Sequence, residues 1–311
     1  MRISTRQIDD KELVETEFDL IIASSGYESR GSFLFKNFKS IKGDKKLILC
    51  FENYREEPNR LYNDKVFENL GFEPHVISGN DKDTLLKLLE KTWNGIGKKE
   101  VNILIDYSCM TRVWYAEILK FFHFVSEQRK VVICFSYSVS SYVAPPENGY
   151  LNRFVSPIPG FYSISTPARP TSLIIGLGYV SSRAFGLAEY FDVTPYLFIN
   201  DANFNKKFHY EVLKQNEDLI KNVPPENIYL YPLNNLSFTE TLLNHLCHDL
   251  LTDYRIILAP CGPKPFTLIS LITCLRLKDV DVWRISAGEK EKPIDKPANG
   301  TLIILRVTLS N

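Results

Sequence analysis

The stretches Leu20-Ile21-Ile22-Ala23-Ser24-Ser25-Gly26-Tyr27-Glu28-Ser29-Arg30 and Leu173-Ile174-Ile175-Gly176-Leu177-Gly178-Tyr179-Val180-Ser181-Ser182-Arg183 decide the fold, because they carry one pattern twice. Each is an apolar strand followed by Gly-Tyr, a short polar turn, Ser-Arg and the start of a helix. A second pair, Ile105-Asp106-Tyr107-Ser108-Cys109-Met110-Thr111-Arg112 and Leu258-Ala259-Pro260-Cys261-Gly262-Pro263-Lys264, falls at nearly the same offset, about 152 residues. Phe51-Glu52-Asn53 and Phe198-Ile199-Asn200 make a weaker third match. Any two parallel α/β halves share apolar strands and Gly turns, but two matches at one spacing are hard to obtain by chance and point to a tandem duplication.

Outward from these repeats, strand-length apolar runs alternate with segments of helical spacing. The first half reads as strands over 18–23, 46–51, 74–78, 102–106 and 131–137, with helices over 31–38, 59–70, 82–93 and 112–126. The second half reads as strands over 172–176, 195–199, 228–232, 255–259 and 280–285, with helices over 182–191, 207–221, 238–251 and 265–275. Such alternation predicts an α/β protein of two tandem Rossmann-like domains, related by internal duplication, with mainly parallel sheets covered on both faces. Residues 301–309 read as an extra edge strand. The stretch 142–170 holds six prolines (Pro145, Pro146, Pro157, Pro159, Pro167, Pro170) and no helical spacing, so it is the expected boundary. Its aromatic residues Tyr142, Tyr150, Phe154, Phe161 and Tyr162 predict that it packs against the domains. The expected organisation is therefore 1–141, a packed linker over 142–170, and 171–311.

With 311 residues, 44% hydrophobic and 24% charged, the chain is long enough to bury a real core and is not a disordered polymer. Its 37 basic and 37 acidic residues cancel, so the overall field recruits neither nucleic acid nor a membrane, and an anionic ligand must be held by a local cluster. The six cysteines (Cys50, Cys109, Cys134, Cys247, Cys261, Cys274) are scattered without a C-x-x-C pair, as expected of reduced thiols. No run approaches the roughly 20 apolar residues of a membrane span, and the opening Met1-Arg2-Ile3-Ser4-Thr5-Arg6 leads into charge rather than a signal-peptide core. A cytoplasmic protein with no membrane partner is the expectation.

Open parallel sheets bind ligands at the carboxyl ends of their strands, where the strand order reverses. The repeated turns lie at such ends, and a turn that leaves a strand and enters a helix offers backbone N–H donors to an anion. In the first, Gly26 allows close approach of a ligand, Ser25 and Ser29 supply hydroxyls, and Arg30 can fork onto a phosphate or carboxylate. The plainer alternative makes Ser29 a helix cap and Arg30 a solvated residue. The copy, Gly178, Tyr179, Ser182 and Arg183, favours the ligand role, since a cap does not require the same Tyr and Arg twice. In the second turn, Asp106 ends a strand and is followed by Ser108, Cys109, Thr111 and Arg112; its counterpart offers Gly262 and a Lys264 held between Pro263 and Pro265. Arg30, Arg112, Arg183 and Lys264 gathered around one cleft between the halves would suit a nucleotide or short oligonucleotide, with Tyr27 and Tyr179 stacking on bases. Replacing any of the four cations with Ala is expected to lower affinity and leave folding intact.

Tandem halves with a polar first turn, and a later strand ending in a Gly-Lys turn before a helix, resemble the CRISPR-associated Rossmann fold (CARF) and the related fused-pair SAVED domains. Gly262-Pro263-Lys264 resembles the Gly-Thr-Lys-type turn of those families, and Ser108-Cys109-Met110-Thr111-Arg112 is a looser version of it. Neither copy has the paired glycines and threonine of the usual pattern. The resemblance implies recognition of a cyclic oligonucleotide messenger by a sensor or regulatory subunit in prokaryotic antiviral defence, with an effector protein or a second copy of the chain as partner.

Other signals weigh less. Gly26-Tyr27-Glu28-Ser29-Arg30-Gly31 and Gly176-Leu177-Gly178 do not complete a dinucleotide fingerprint and no Walker loop occurs, so no cofactor is expected. In His245-Leu246-Cys247-His248-Asp249, helical spacing puts His245 and Asp249 on one face and Cys247 on another, so no metal site is expected. The rival function is an enzyme, a hydrolase or transferase acting on a nucleotide or phosphorylated metabolite, with Asp106, Ser108, Cys109 and Thr111 near the reaction. Cys109 and Cys261 start helices, where a thiolate is stabilised, but the five histidines (His75, His123, His209, His245, His248) all lie outside the repeated turns. A scaffold whose repeat is purely architectural is the third reading.

Overall fold

The first series of elements is β1 (Arg2–Ile8), α1 (Asp10–Glu15), β2 (Phe18–Ser25), a 3-10 turn over Ser29–Ser32, α2 (Phe33–Asn37), β3 (Gly43–Phe51), α3 (Pro58–Asn69), β4 (Glu73–Ile77), α4 (Lys82–Asn94), β5 (Glu100–Asp106), α5 (Arg112–Val125) and β6 (Lys130–Ser140). The second is β7 (Phe154–Pro157), β8 (Thr171–Gly176), α6 (Arg183–Phe191), β9 (Tyr196–Asn200), α7 (Lys206–Gln215), α8 (Glu217–Lys221), β10 (Ile228–Tyr231), α9 (Leu236–Leu250), β11 (Arg255–Pro260), α10 (Lys264–Arg276), β12 (Val280–Ser286) and β13 (Ala298–Ser310). The computed structural model describes residues 2–144, 154–163, 169–180, 183–286 and 294–311.

The chain divides into two compact units, one running to Ser141 and completed by the C-terminal strand, the other beginning at Tyr142. The first holds a seven-stranded sheet in the order β1-β13-β6-β5-β2-β3-β4, the second a six-stranded sheet in the order β10-β9-β8-β11-β12-β7. Within each, five strands run parallel and lie in one spatial order: third, second, first, fourth, fifth. The order therefore reverses between β2 and β5 in the first unit and between β8 and β11 in the second.

Central strands read as unbroken apolar runs because both their faces are covered. Every residue of β2 is buried, and so are Leu173, Ile174 and Ile175 of β8. The helices that follow the reversal points are core helices: α5 buries Trp114, Tyr115 and Phe122, and α10 buries Phe266, Leu268, Ile269 and Leu271.

Four expectations change. Residues 301–309 are neither an edge nor part of the second domain: β13 lies between β1 and β6 in the first sheet, antiparallel to both, with Leu309 opposite Val131 and Ile303 opposite Tyr137. Ile303, Leu305, Val307 and Leu309 are buried there, which a solvent-facing edge would not achieve. The second domain thus does not extend from 171 to 311. The stretch 142–170 is not a separate linker either, since β7 pairs antiparallel with β12 and Ile158 and Phe161 are buried beside it; Pro145, Pro146, Tyr150 and Pro167 lie outside the described residues. The helix expected over 207–221 is broken at Asn216, whose buried side-chain amide donates to the carbonyls of Val212 and Gly178 at 2.7 and 2.8 Å. The helix expected over 31–38 is instead a 3-10 turn over Ser29–Ser32 followed by the five-residue α2.

Candidate functional site

The turns after β2 and β5 flank the reversal point of the first sheet, and the structure joins them through a chain of polar contacts. Because side chains alternate along a strand, the register places Asp106 and Ser136 on one face, with Ser138 following on the same side. Asp106 accepts from the backbone N–H of Ser108 at 3.0 Å and from its hydroxyl. The Ser108 hydroxyl in turn accepts from the N–H of Ser138 at 2.7 Å. Asp106 and Ser108 are both buried, so they shape the turn from within and do not meet solvent. Thr111 caps α5, accepting from Trp114 N–H at 3.2 Å, while its hydroxyl donates to the Gly79 carbonyl at 2.9 Å. Arg112 begins α5 and is half-buried.

Arg30 departs from its expected role. Its side chain is only 3% exposed. Its Nε donates to Glu28 Oε2 at 2.7 Å, and its terminal nitrogen donates to the Tyr137 hydroxyl at 3.1 Å and the Ser138 carbonyl at 3.0 Å. Burial alone lowers the pKa of such a group, but Glu28, with smaller contributions from Tyr137 and Cys109, more than offsets it and raises the guanidinium well above its ordinary value. Arg30 is thus a fixed internal charge, neither a solvated residue nor a free fork. Ser29 likewise is not a side-chain cap: the 3-10 turn has none, and Ser29 N–H donates to Asp295 at 2.7 Å.

Glu28, which the sequence reading passed over, is the hub. Besides Arg30 it accepts from the Cys109 thiol at 3.6 Å and lies 4.0 Å from Lys296 Nζ. Helix α3 holds the turn from below. Asn63 donates to the carbonyls of Gly26 and Glu28 at 3.0 and 2.9 Å and accepts from Ser32 at 2.7 Å. Ser25 donates to Asp64 at 2.5 Å, and Arg60 binds both Asp64 and the Phe51 carbonyl. One sequence signal could have found these residues: Arg60, Asn63 and Phe67 share one stripe of α3, so polar groups stand on the same side as a core phenylalanine. At Gly26 a Cβ would come 3.1 Å from the Phe51 ring, itself stacked on Trp114 at 4.3 Å. The glycine therefore serves close packing, and Tyr27 meets Tyr54 edge-on at 5.5 Å.

The second unit uses the corresponding turns differently. A Cβ on Gly178 would lie 2.4 Å from the Cys261 carbonyl oxygen, and one on Gly262 would lie 2.4 Å from that of Leu177. The two turns touch backbone to backbone, so these glycines are required by the turns' own contact. Phe266 fills the space against Gly176, where a Cβ would meet its ring at 2.4 Å. Tyr179 packs edge-on against Phe208 at 5.1 Å. Arg183 and Lys264 begin α6 and α10 and are partly exposed; Ser182 lies outside the described residues.

Of the expected site residues, the structure gathers Ser25, Gly26, Arg30, Asp106, Ser108 and Cys109 into one cluster with Glu28, and it packs Gly178 against Gly262's turn. Among the described residues no helix is long and apolar enough to cross a membrane. No protein-family model matches the chain, and no curated protein matches it.

Proposed function

We propose that the protein recognises a nucleotide-type anion at the carboxyl edges of its sheets and acts as a sensor or regulatory subunit, with prokaryotic antiviral defence as its setting. One observation carries this reading: in both units the strand order reverses between the two strands whose following turns the sequence repeats, and reversal points of open α/β sheets are where ligands bind. In the first unit the contacting groups are Arg112, Tyr27 and the turn backbone, while Arg30 and Asn63 hold that backbone in shape beforehand. In the second unit they are Arg183 and Lys264 at the starts of α6 and α10. The test is calorimetric titration of the full chain with ATP and with linear and cyclic adenylate oligonucleotides. A lost charge-assisted hydrogen bond costs about 1.5–3 kcal/mol, so Arg112→Ala, Arg183→Ala and Lys264→Ala are each expected to weaken binding by roughly 10- to 150-fold. Unchanged affinity in all three, or no binding by the native chain, overturns the reading.

A second reading, a hydrolase or transferase acting on a nucleotide or phosphorylated metabolite, draws on the Cys109 thiol lying 3.6 Å from the Glu28 carboxylate where both are partly exposed. Mass spectrometry after incubation with the same compounds separates the two. New products that disappear in Cys109→Ala favour the enzyme; bound, unaltered ligand favours the sensor.

A further inference from the structure

The second unit holds a hollow that none of the repeated motifs builds. Its volume is about 350 Å³, and it is lined by Tyr142, Lys206, Lys207, Tyr210 and Glu211. Helix α7 follows β9, so its first turn lies at the carboxyl edge of the second sheet, on the β9 side of the reversal point.

Three features of this hollow point to one class of ligand. The first is aromatic: Tyr210 is 67% exposed, and Tyr142 stands on a row of rings, 6.5 Å from Tyr179, which is 5.1 Å from Phe208. An exposed tyrosine ring beside one braced edge-on by another ring suits stacking on a base. The second is positive charge. Lys206 and Lys207 are exposed in the first turn of a ten-residue helix, where backbone N–H groups precede any intrahelical acceptor. The Asn205 side chain accepts from the N–H of Phe208 and its carbonyl from that of His209, both at 3.0 Å, and the N–H groups of Lys206 and Lys207 precede these. The third is a carboxylate among these cations: Glu211 accepts from Gln215 at 2.6 Å and from the Tyr142 hydroxyl at 3.4 Å. A carboxylate oxygen accepts hydrogen bonds, and the paired hydroxyls of a ribose can supply them.

We propose that this hollow binds a ribonucleoside phosphate, with the base against Tyr142 and Tyr210, the ribose hydroxyls on Glu211 and the phosphates on Lys206 and Lys207. The assignment stands independently of the first unit. Hydrogen exchange of the full chain is titrated with ADP and read on peptides covering α7, with 2′,3′-dideoxy-ADP as comparison. ADP is expected to protect α7 saturably. Tyr210→Ala is expected to weaken that protection at least about fivefold, as loss of one stacked ring does. The double change Lys206→Glu/Lys207→Glu abolishes it, and the dideoxy compound binds the native chain at least about tenfold more weakly. All these side chains lie at the surface, and unchanged circular dichroism confirms folding. Arg112→Ala, in the other unit, leaves the protection of α7 unchanged. No protection of α7 by millimolar ADP, equal protection in Tyr210→Ala and the double variant, or equal binding of ADP and its dideoxy analogue overturns the proposal.

Discussion

Arg30→Ala tests whether the first turn is built around a buried charge. The substitution strips Glu28, only 13% exposed, of its guanidinium partner at 2.7 Å and deprives the Tyr137 hydroxyl and the Ser138 carbonyl of their donor. Removing one member of a buried ion pair costs about 3–5 kcal/mol, chiefly through the charge left behind. Lys296, 4.0 Å from Glu28, is too distant and too solvated to compensate fully. For a unit of this size each kcal/mol moves the midpoint by about 2–4 °C, so the first unit's calorimetric transition should fall by roughly 6–20 °C. The neutral pair Arg30→Met with Glu28→Gln should recover about 1–3 kcal/mol relative to the sum of the single changes. A midpoint drop under about 2 °C together with lost ligand binding would refute the reasoning and return Arg30 to the surface role its sequence context first implied.

Gly262→Ala places a methyl group 2.4 Å from the Leu177 carbonyl oxygen; because the obstacle is backbone, a loss of about 1–3 kcal/mol in the second unit is expected by chemical denaturation, and an unchanged midpoint contradicts the backbone contact. Thr111→Ala removes the α5 cap and the donor to the Gly79 carbonyl. It should cost about 0.5–2 kcal/mol, whereas Thr111→Ser should restore most of that in the same denaturation series. Burial lowers the His123 imidazole below its ordinary value, so the unfolded chain binds the proton more readily than the folded one. The stability this group allows is complete above the unfolded pKa of about 6.5 and is lost as pH falls below it toward the folded value; His123→Gln should flatten that part of the stability–pH curve, and an identical slope in both proteins would contradict it.

The central parallel strands were legible because burial on both faces leaves no polar alternation to confuse, and the repeated turns marked both reversal points without any knowledge of strand order. What was not legible depends on distant partners. β1 alternates exposed Arg2, Ser4 and Arg6 with half-buried residues, a pattern weak in apolar signal. β13 was visible as a strand, but its neighbour β6 is remote in sequence, and pairing of that kind is not written locally. Asn216 looked like one more polar position in a helix until its amide was found on the Gly178 carbonyl. At the site, the repeat singled out Arg30, Asp106, Ser108 and Cys109, yet their roles turned on burial. The roles of Glu28 and Asp295 emerge only when Arg30, Cys109 and the segment before β13 meet at the turn, whereas Asn63 was marked by the polar stripe of α3.

We propose that a nucleotide-type anion meets the turns at the reversal points of the sheets. Hydrogen exchange followed by mass spectrometry, on the full chain titrated with the adenylate oligonucleotide it binds most tightly, addresses it most directly. Saturable protection is expected in peptides spanning 26–32 and 107–112, lost in Arg112→Ala. Saturable binding with no protection in either peptide would contradict it.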